Sequence, residues 1–412
     1  MWSDGAAGLS GVEQRFSALR LERVFGSFDS FVEATKWCQF ENLKYEIETM
    51  RAYPSTGEYV VTELTDVHWE ANGLIDMARN LRVFHDRFAE INADIVIVPG
   101  LQRWAYWAGE EMTVTPKIAS GGKSVPAGLA LEWSLEGKTG RIDIPAIVPF
   151  GVEPSADFKI AMPPIETAAM FDLFFRLVGP GGNVLAANRV SIAIHPRRYL
   201  RAVSIASNDP RLAERLATLG YVLATEDNAD VFLTRELDAA RVEAFRLGQK
   251  VLLLAEDGNG SLRHDPPPRE QPHVPIVDDI PGIPSQPYFL FPGYGLSNRD
   301  GTVWRGDWVT NFSWIKRTGP FAALPGGPLL DLTFDRADPR AVISGFRPWH
   351  FDGRVHGALV VGWVQKPVAT IIEKALGPGK IVATTFRLTE DAPEVDPTAT
   401  MLMDCLLRLA KH

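Results

Sequence analysis

Residues 31–88 read FVEATKWCQFENLKYEIETMRAYPSTGEYVVTELTDVHWEANGLIDMARNLRVFHDRF, and the order of periodicities in this stretch decides the fold. Trp37, Phe40, Leu43, Ile47 and Met50 recur at the three- and four-residue spacing of one helix face. Ser30 and Glu33 have the spacing of a capping box, in which each side chain satisfies an orphan backbone donor. Pro54 closes the segment. Tyr59, Val60 and Val61, ending in Thr62 and Glu63, then read as a short buried parallel strand. A loop over 65–73 follows, and Val83, Phe84, Arg87, Phe88 and Ile91 mark a second amphipathic helix. Helix, buried strand, helix is a βα unit of a larger parallel sheet or barrel, and a single strand cannot close one.

Outward from this stretch the texture changes twice. From Asp94 to His195 it is all-β: DIVIVP, RWAYWAG, EMTVTPKIA, LALEWSLEG, GRIDIPAIV and MFDLFFRLV are β-rich runs punctuated by Gly and Pro. About 100 residues of this kind suggest an immunoglobulin-like sandwich, with VGPGGNVLAANRVSIAI as its closing hairpin. From Arg201, AVSIAS, YVLA, ADVFLT and KVLLLAE alternate with helical runs over 211–219 and 239–247, the signature of a doubly wound α/β unit. Eight prolines between Gly258 and Pro287 read as an irregular excursion. The alternation resumes with HGALVVGWV, GKIVATTF and a C-terminal helix over 399–409. The expected division is 1–93, 94–197 and 198–412.

The chain has 412 residues, 46% of them hydrophobic, enough for two or three separate cores. Its net charge of -9 and the lack of a basic stripe argue against a nucleic-acid partner. No apolar run is long enough to span a membrane. The opening MWSDGAAGLSGVEQRF lacks the charged region and apolar stretch of a signal peptide, and compartment is left open. Cys38 and Cys405 are too few for a disulfide framework and too isolated for a zinc site. His350, Asp352 and His356 have no metal-ligand spacing. SNDPRL after AVSIAS lacks the glycine triad of a dinucleotide site.

The 31–88 stretch resembles the end of the catalytic barrel in glycoside hydrolase family 2, which includes β-galactosidases, β-mannosidases and β-glucuronidases. The resemblance is carried by Gln39, Glu48 with Arg51, Gly57, Asp66, Trp69 and Asp76. It implies that the strand is the eighth of a (β/α)8 barrel, and the β-rich region looks like the sandwich that follows. Thr62 departs from the Trp that many members have there. The implied activity is hydrolysis of β-glycosidic bonds with retention and without cofactor. The implied acid/base and nucleophile carboxylates belong to earlier strands, so no catalytic residue is assigned here, and the chain alone is expected to be inactive. The implied partners are a carbohydrate substrate and the upstream remainder of the barrel, with a homo-oligomer left open. The C-terminal region resembles class I glutamine amidotransferase-like domains, flavodoxin-like in fold. An active one needs a Cys on a strand-to-helix elbow. Cys405 lies inside an apolar helix, so this domain is expected to be degenerate.

Glu63, Asp66 and Glu70 sit where barrel enzymes place functional groups, at a strand's carboxyl end. Retaining hydrolysis needs two carboxylates about 5–5.5 Å apart, but the resemblance points to other strands for that pair. Glu63, Asp66, His68, Trp69 and Glu70 are therefore expected to bind substrate hydroxyls and C–H faces or to brace the loop. Trp304, Trp308, Phe312 and Trp314, near Arg305 and Asp307, are expected to pack against the α/β unit rather than bind sugar. The rival reading is a non-catalytic carbohydrate-binding or assembly module.

Overall fold

The computed structural model describes residues 12–67, 71–125, 127–197, 203–235, 239–256, 295–298, 311–344, 354–361, 368–391 and 395–412. The architecture is sheet-rich, combining an all-β unit and an α/β unit, with few helices and several sheets.

The N-terminal part holds α1 (Val12–Ala18), α2 (Glu22–Phe25), the long α3 (Phe28–Arg51) and a single turn, α4 (Ala89–Asn92). Helix α3 begins a turn earlier than the Ser30 and Glu33 pattern indicates. Its cap is Ser27, whose Oγ accepts from the Ser30 amide at 3.1 Å. The earlier start lets the Phe28 and Phe31 rings meet those of Phe16 and Phe25, with centroids 5.0 to 5.5 Å apart. Phe40 and Ile47 bury the expected α3 face against Phe84 and Ile91.

Two expectations fail here. Residues 59–64 form no strand, and Val60 and Leu64 are exposed. A strand exists only through a ladder with neighbours, and among the described residues no strand pairs with this segment. The backbone instead folds on itself: Leu74 N donates to Glu63 O (3.2 Å) and Ile75 N to Leu64 O (3.0 Å). The second helix shrinks to a 3-10 turn at His85–Arg87 plus α4. Phe84, Phe88 and Ile91 still point inward, but so short a helix leaves Val83 outside.

The all-β unit contains β1 (Ile95–Val98), β2 (Ala105–Trp107), β3 (Glu111–Val114), β4 (Lys117–Ser120), β5 (Leu129–Leu135), β6 (Lys138–Ile144), β7 (Val152–Pro154), β8 (Phe158–Ala161), β9 (Ala169–Val178) and β10 (Val184–His195). One sheet has the order β2-β10-β9-β5-β6, a second β1-β4-β7, and β3 pairs with β8. Their inner faces share one core, with Ile97, Met112, Ile118, Leu131, Phe175 and Ile192 fully buried. The closing hairpin is β9–β10, as its sequence indicates, with a register shift between Val184 and Ala186.

The α/β unit runs β11 (Ser204–Ser207), α5 (Pro210–Thr218), β12 (Val222–Leu223), β13 (Val231–Thr234), α6 (Ala239–Arg246), β14 (Lys250–Leu254), β15 (Gly295–Asn298), β16 (Asn311–Ile315), β17 (Ala341–Ser344), β18 (Val355–Val361), β19 (Val368–Leu376), β20 (Gly379–Thr384) and α7 (Pro397–Lys411). Strands β12-β11-β13-β14-β20 are parallel, and β19, β17 and β15 continue the sheet antiparallel. Every residue of β13 is buried, as a parallel strand covered on both faces requires. Helices α5 and α7 cover one face through Leu212, Leu216, Leu402 and Leu406. The other face, with Phe232, Val251 and Leu253, is covered by Phe245 of α6 and by Phe16, Leu21, Phe25 and Phe31. The first helices thus supply a layer of a sheet formed some two hundred residues later.

Candidate functional site

The loop 63–82 is built around the Asp66 carboxylate. Its Oδ1 accepts from the Gly73 amide at 2.9 Å and from the Arg82 guanidinium in a buried ion pair. Arg82 Nε also donates to Gly73 O at 3.0 Å, so one arginine clamps both ends of the loop. Glycine at 73 is a steric requirement, since a Cβ there would lie 2.4 Å from the Asp66 nitrogen. Gln39 reaches across from α3 and donates to Asn72 O at 2.5 Å. Further along, Asp76 accepts from the backbone and side-chain nitrogens of Asn80, and those hydrogen bonds hold its carboxyl below the usual range.

These bonds assign Asp66 a bracing role. Its charge is neutralised by Arg82, and one oxygen carries both contacts. Glu63 is half-buried at the loop entrance. His68, Trp69 and Glu70 lie outside the described residues, as do Trp304, Arg305, Asp307, Trp308, His350 and Asp352. Trp314 is buried in the α/β core, in keeping with packing.

Glu48 and Arg51, expected as part of the barrel-end pattern, join α3 to the all-β unit. Lys44 Nζ donates to Glu48 Oε1 and to Asn188 Oδ1. Asn188 Nδ2 completes the triangle by donating to Glu48 Oε1 (2.7 Å) and Ile97 O (2.6 Å). Burial pushes the Glu48 carboxyl above its ordinary value, with Lys44 pulling the other way. Arg51 spends its guanidinium on the carbonyls of Ala93 (2.7 Å), Asp94 (3.2 Å) and Ile91 (3.4 Å). Sequence reasoning picked out Glu48 and Arg51 but missed Lys44 and Asn188, which only the packing of helix on sheet brings together.

At the carboxyl ends of the parallel strands, Arg235 bridges Asp209 and Glu256, both at 3.3 Å. Glu256 also accepts from Thr389 Oγ1 at 2.7 Å and Leu388 N at 3.1 Å. A cysteine elbow is absent there among the described residues. Cys405 is buried in α7, its thiol donating to Pro320 O at 3.2 Å, and burial pushes its pKa up to about 12. Iodoacetamide should therefore leave Cys405 unmodified in the native protein and label it on denaturation. Rapid native labelling, read by mass spectrometry, would contradict this. No group of His, Cys, Asp and Glu among the described residues could hold a metal ion, and no helix there is long and apolar enough to cross a membrane.

No family model matches the chain, and no curated protein does. Among solved structures, the chain is similar to the alkylpurine DNA glycosylase AlkC of Pseudomonas fluorescens at 11% identity, covering 28% of this chain and 34% of that one, with a TM-score of 0.19. It is similar to the sporulation control protein Spo0M of Bacillus subtilis at 15% identity, covering 31% and 56%, with a TM-score of 0.20. The fibronectin(III)-like modules of Clostridium thermocellum CbhA match at 10% identity over 25% of this chain and 100% of theirs, with a TM-score of 0.17. The chain thus spans 34% and 56% of the lengths of the first two. Likeness at this level carries no argument about fold or activity.

Proposed function

We propose that this chain is the C-terminal part of a retaining glycoside hydrolase of the family 2 type, acting on β-glycosidic bonds of carbohydrates. In this reading residues 1–93 carry the end of a (β/α)8 barrel, apart from the helices over 12–31 that dock on the α/β unit, and the remaining strands, with both catalytic carboxylates, come from preceding polypeptide. Glu63, His68, Trp69 and Glu70 would face the sugar, and Asp66 would hold their loop in shape. The all-β unit would be the immunoglobulin-like sandwich that follows the barrel. The α/β unit would be a degenerate amidotransferase-like domain, a reading supported by β12-β11-β13-β14-β20, which counted as parallel strands alone follow a 2-1-3-4-5 order like that of flavodoxin-like sheets.

The observation that carries the reading is a set of exposed apolar side chains along the segment that would be the eighth strand and its loop. Val60 is 87% exposed, Leu64 65%, Met77 61% and Leu81 62%. Single exposed apolar side chains are ordinary, but four within 22 residues, beside an unladdered backbone, suit a surface that another part of a barrel covers. The backbone amides of 59–62 would gain their ladder from the same neighbours.

The test is complementation. The chain alone should show no enzyme-like turnover of aryl β-galactoside, β-mannoside or β-glucuronide. Fused behind the barrel segment encoded upstream, it should gain activity on one of them. In the fusion, Leu64→Asp should abolish that activity by disrupting the seam. Substantial turnover by the chain alone, lost in Glu63→Gln, would place a complete active site within it and overturn the proposal.

A further inference from the structure

A cleft of ≈ 260 Å³ lies where the chain leaves α3 and runs beside β4 and β7, away from the 63–82 loop. Two aromatic rings stand at its rim, Tyr53 at 59% exposure and Phe150 at 72%. Phe150 has a φ of +56, a left-handed conformation that is costly for a bulky side chain. It holds the ring over Gly122, where a Cβ would come within 3.2 Å of the ring. An exposed aromatic kept in a strained backbone is a combination that folding alone does not explain.

The polar lining selects among ligands. Arg51 has spent its guanidinium on three carbonyls, and Lys123 is paired with Asp94. Lys117 donates to Ala52 O at 3.2 Å and lies 5.9 Å from the Tyr53 ring. The guanidinium donors of Arg51 are thus engaged by carbonyls and the Asp94 charge is offset by Lys123, so the lining presents no bidentate site for an anion, and the exposed Glu58 carboxylate at its edge disfavours one. A wholly apolar ligand would strip water from the Glu58 carboxylate and from the Asp94–Lys123 pair, which is unfavourable. Tyr59 Oη donates to Asn92 Oδ1 at 2.7 Å, leaving the Asn92 amide as a donor toward the cleft. Aromatic faces for C–H surfaces, carboxylate acceptors for hydroxyls and one amide donor are the complement of a neutral polyol ring. The volume lies just under the roughly 300–1,000 Å³ of sites for larger ligands, so it suits the end of a saccharide rather than an extended chain.

The geometry points to a binding site for the end of a neutral saccharide in this cleft, held between Tyr53 and Phe150 and separate from the 63–82 loop. Tyr59 at its edge opens the segment read as the eighth strand, but Tyr53 and Phe150, which would hold the sugar, lie outside that segment, so the site does not depend on the glycosidase reading. The experiment is calorimetric titration of the full chain with cellobiose, mannobiose, maltose and cellohexaose. At least one disaccharide should bind saturably, and cellohexaose should gain no more than about threefold over cellobiose if cellobiose is the ligand. Tyr53→Ala and Phe150→Gly should each weaken binding by about tenfold or more, with unchanged circular dichroism and melting. Phe150→Gly suits its left-handed position and keeps the fold testable. Phe174→Ala, an exposed aromatic on another surface, should have no effect. Failure of all four sugars to bind, binding unaltered in both cleft variants, or equal loss in Phe174→Ala would each overturn the assignment, whatever the complementation assay shows.

Discussion

Replacing Lys44 with methionine should lower the stability of the helix–sheet junction by about 3–5 kcal/mol at neutral pH, the cost of removing one partner from a buried ion pair. Lys44 is the cation facing Glu48 at closest range, with side-chain exposures of 5% and 13%. Methionine fills much of the lysine stem's volume, so the loss should come from the stranded carboxylate more than from a cavity. The pH dependence separates the two causes. Glu48 is held above its ordinary value mainly by burial, so the folded protein binds more protons at this site than the unfolded chain does. Its contribution is fullest below the unfolded pKa and is lost as pH rises through the folded one. Without Lys44 the folded value climbs further, and this falling limb extends toward neutrality. Urea denaturation should therefore show a large deficit near about pH 7 that shrinks near about pH 5. Adding Glu48→Gln should restore most of the stability, since the amide keeps a neutral partner for Asn188. A deficit equal at both pH values and unrelieved by Glu48→Gln would show that packing, not charge, joins the units here.

That junction also shows what could be read from the sequence and what could not. Period-two and buried runs such as DIVIVP, LALEWSLEG and ADVFLT became β1, β5 and β13, because each carries its own apolar pattern and local turn signals. β7 and β8 went unread, since Val152–Pro154 and Phe158–Ala161 are short edge strands with little alternation. The 59–64 run has strand-like side chains but no neighbour to pair with, and pairing is not a property of the run itself. Among the candidate site residues, Asp66 was legible as a functional-looking carboxylate at a strand end. Its engagement by Arg82 was not, because a partner sixteen residues away across a loop leaves no periodic trace. Gln39 is the exception, spaced on α3 so that it meets Asn72 and Gly73 in the loop it helps to brace.

The same limit hid the second face of the α/β sheet, and separating the α/β unit from the N-terminal helices should have the larger consequence. A doubly wound sheet must cover both faces, and among the described residues one face here has only the eight-residue α6 besides the N-terminal helices. Phe16, Phe25 and Phe31 pack against one another, tilted or edge to face, and against the sheet, each under 9% exposed. Truncating one such phenylalanine to alanine costs about 3–5 kcal/mol. Losing two or three approaches the whole stability of a typical domain, about 5–15 kcal/mol. Residues 198–412 alone should then keep their far-ultraviolet circular dichroism, bind a hydrophobic dye and melt without a cooperative transition. Adding a peptide of residues 12–33 in trans, or fusing it to the fragment, should restore cooperativity and release the dye. Phe16→Ala in that peptide should weaken the rescue by more than about tenfold, a conservative reading of the same burial energy. A cooperative melt by the bare fragment would mean that α5, α6 and α7 suffice, and that the N-terminal helices dock on a sheet already stable without them.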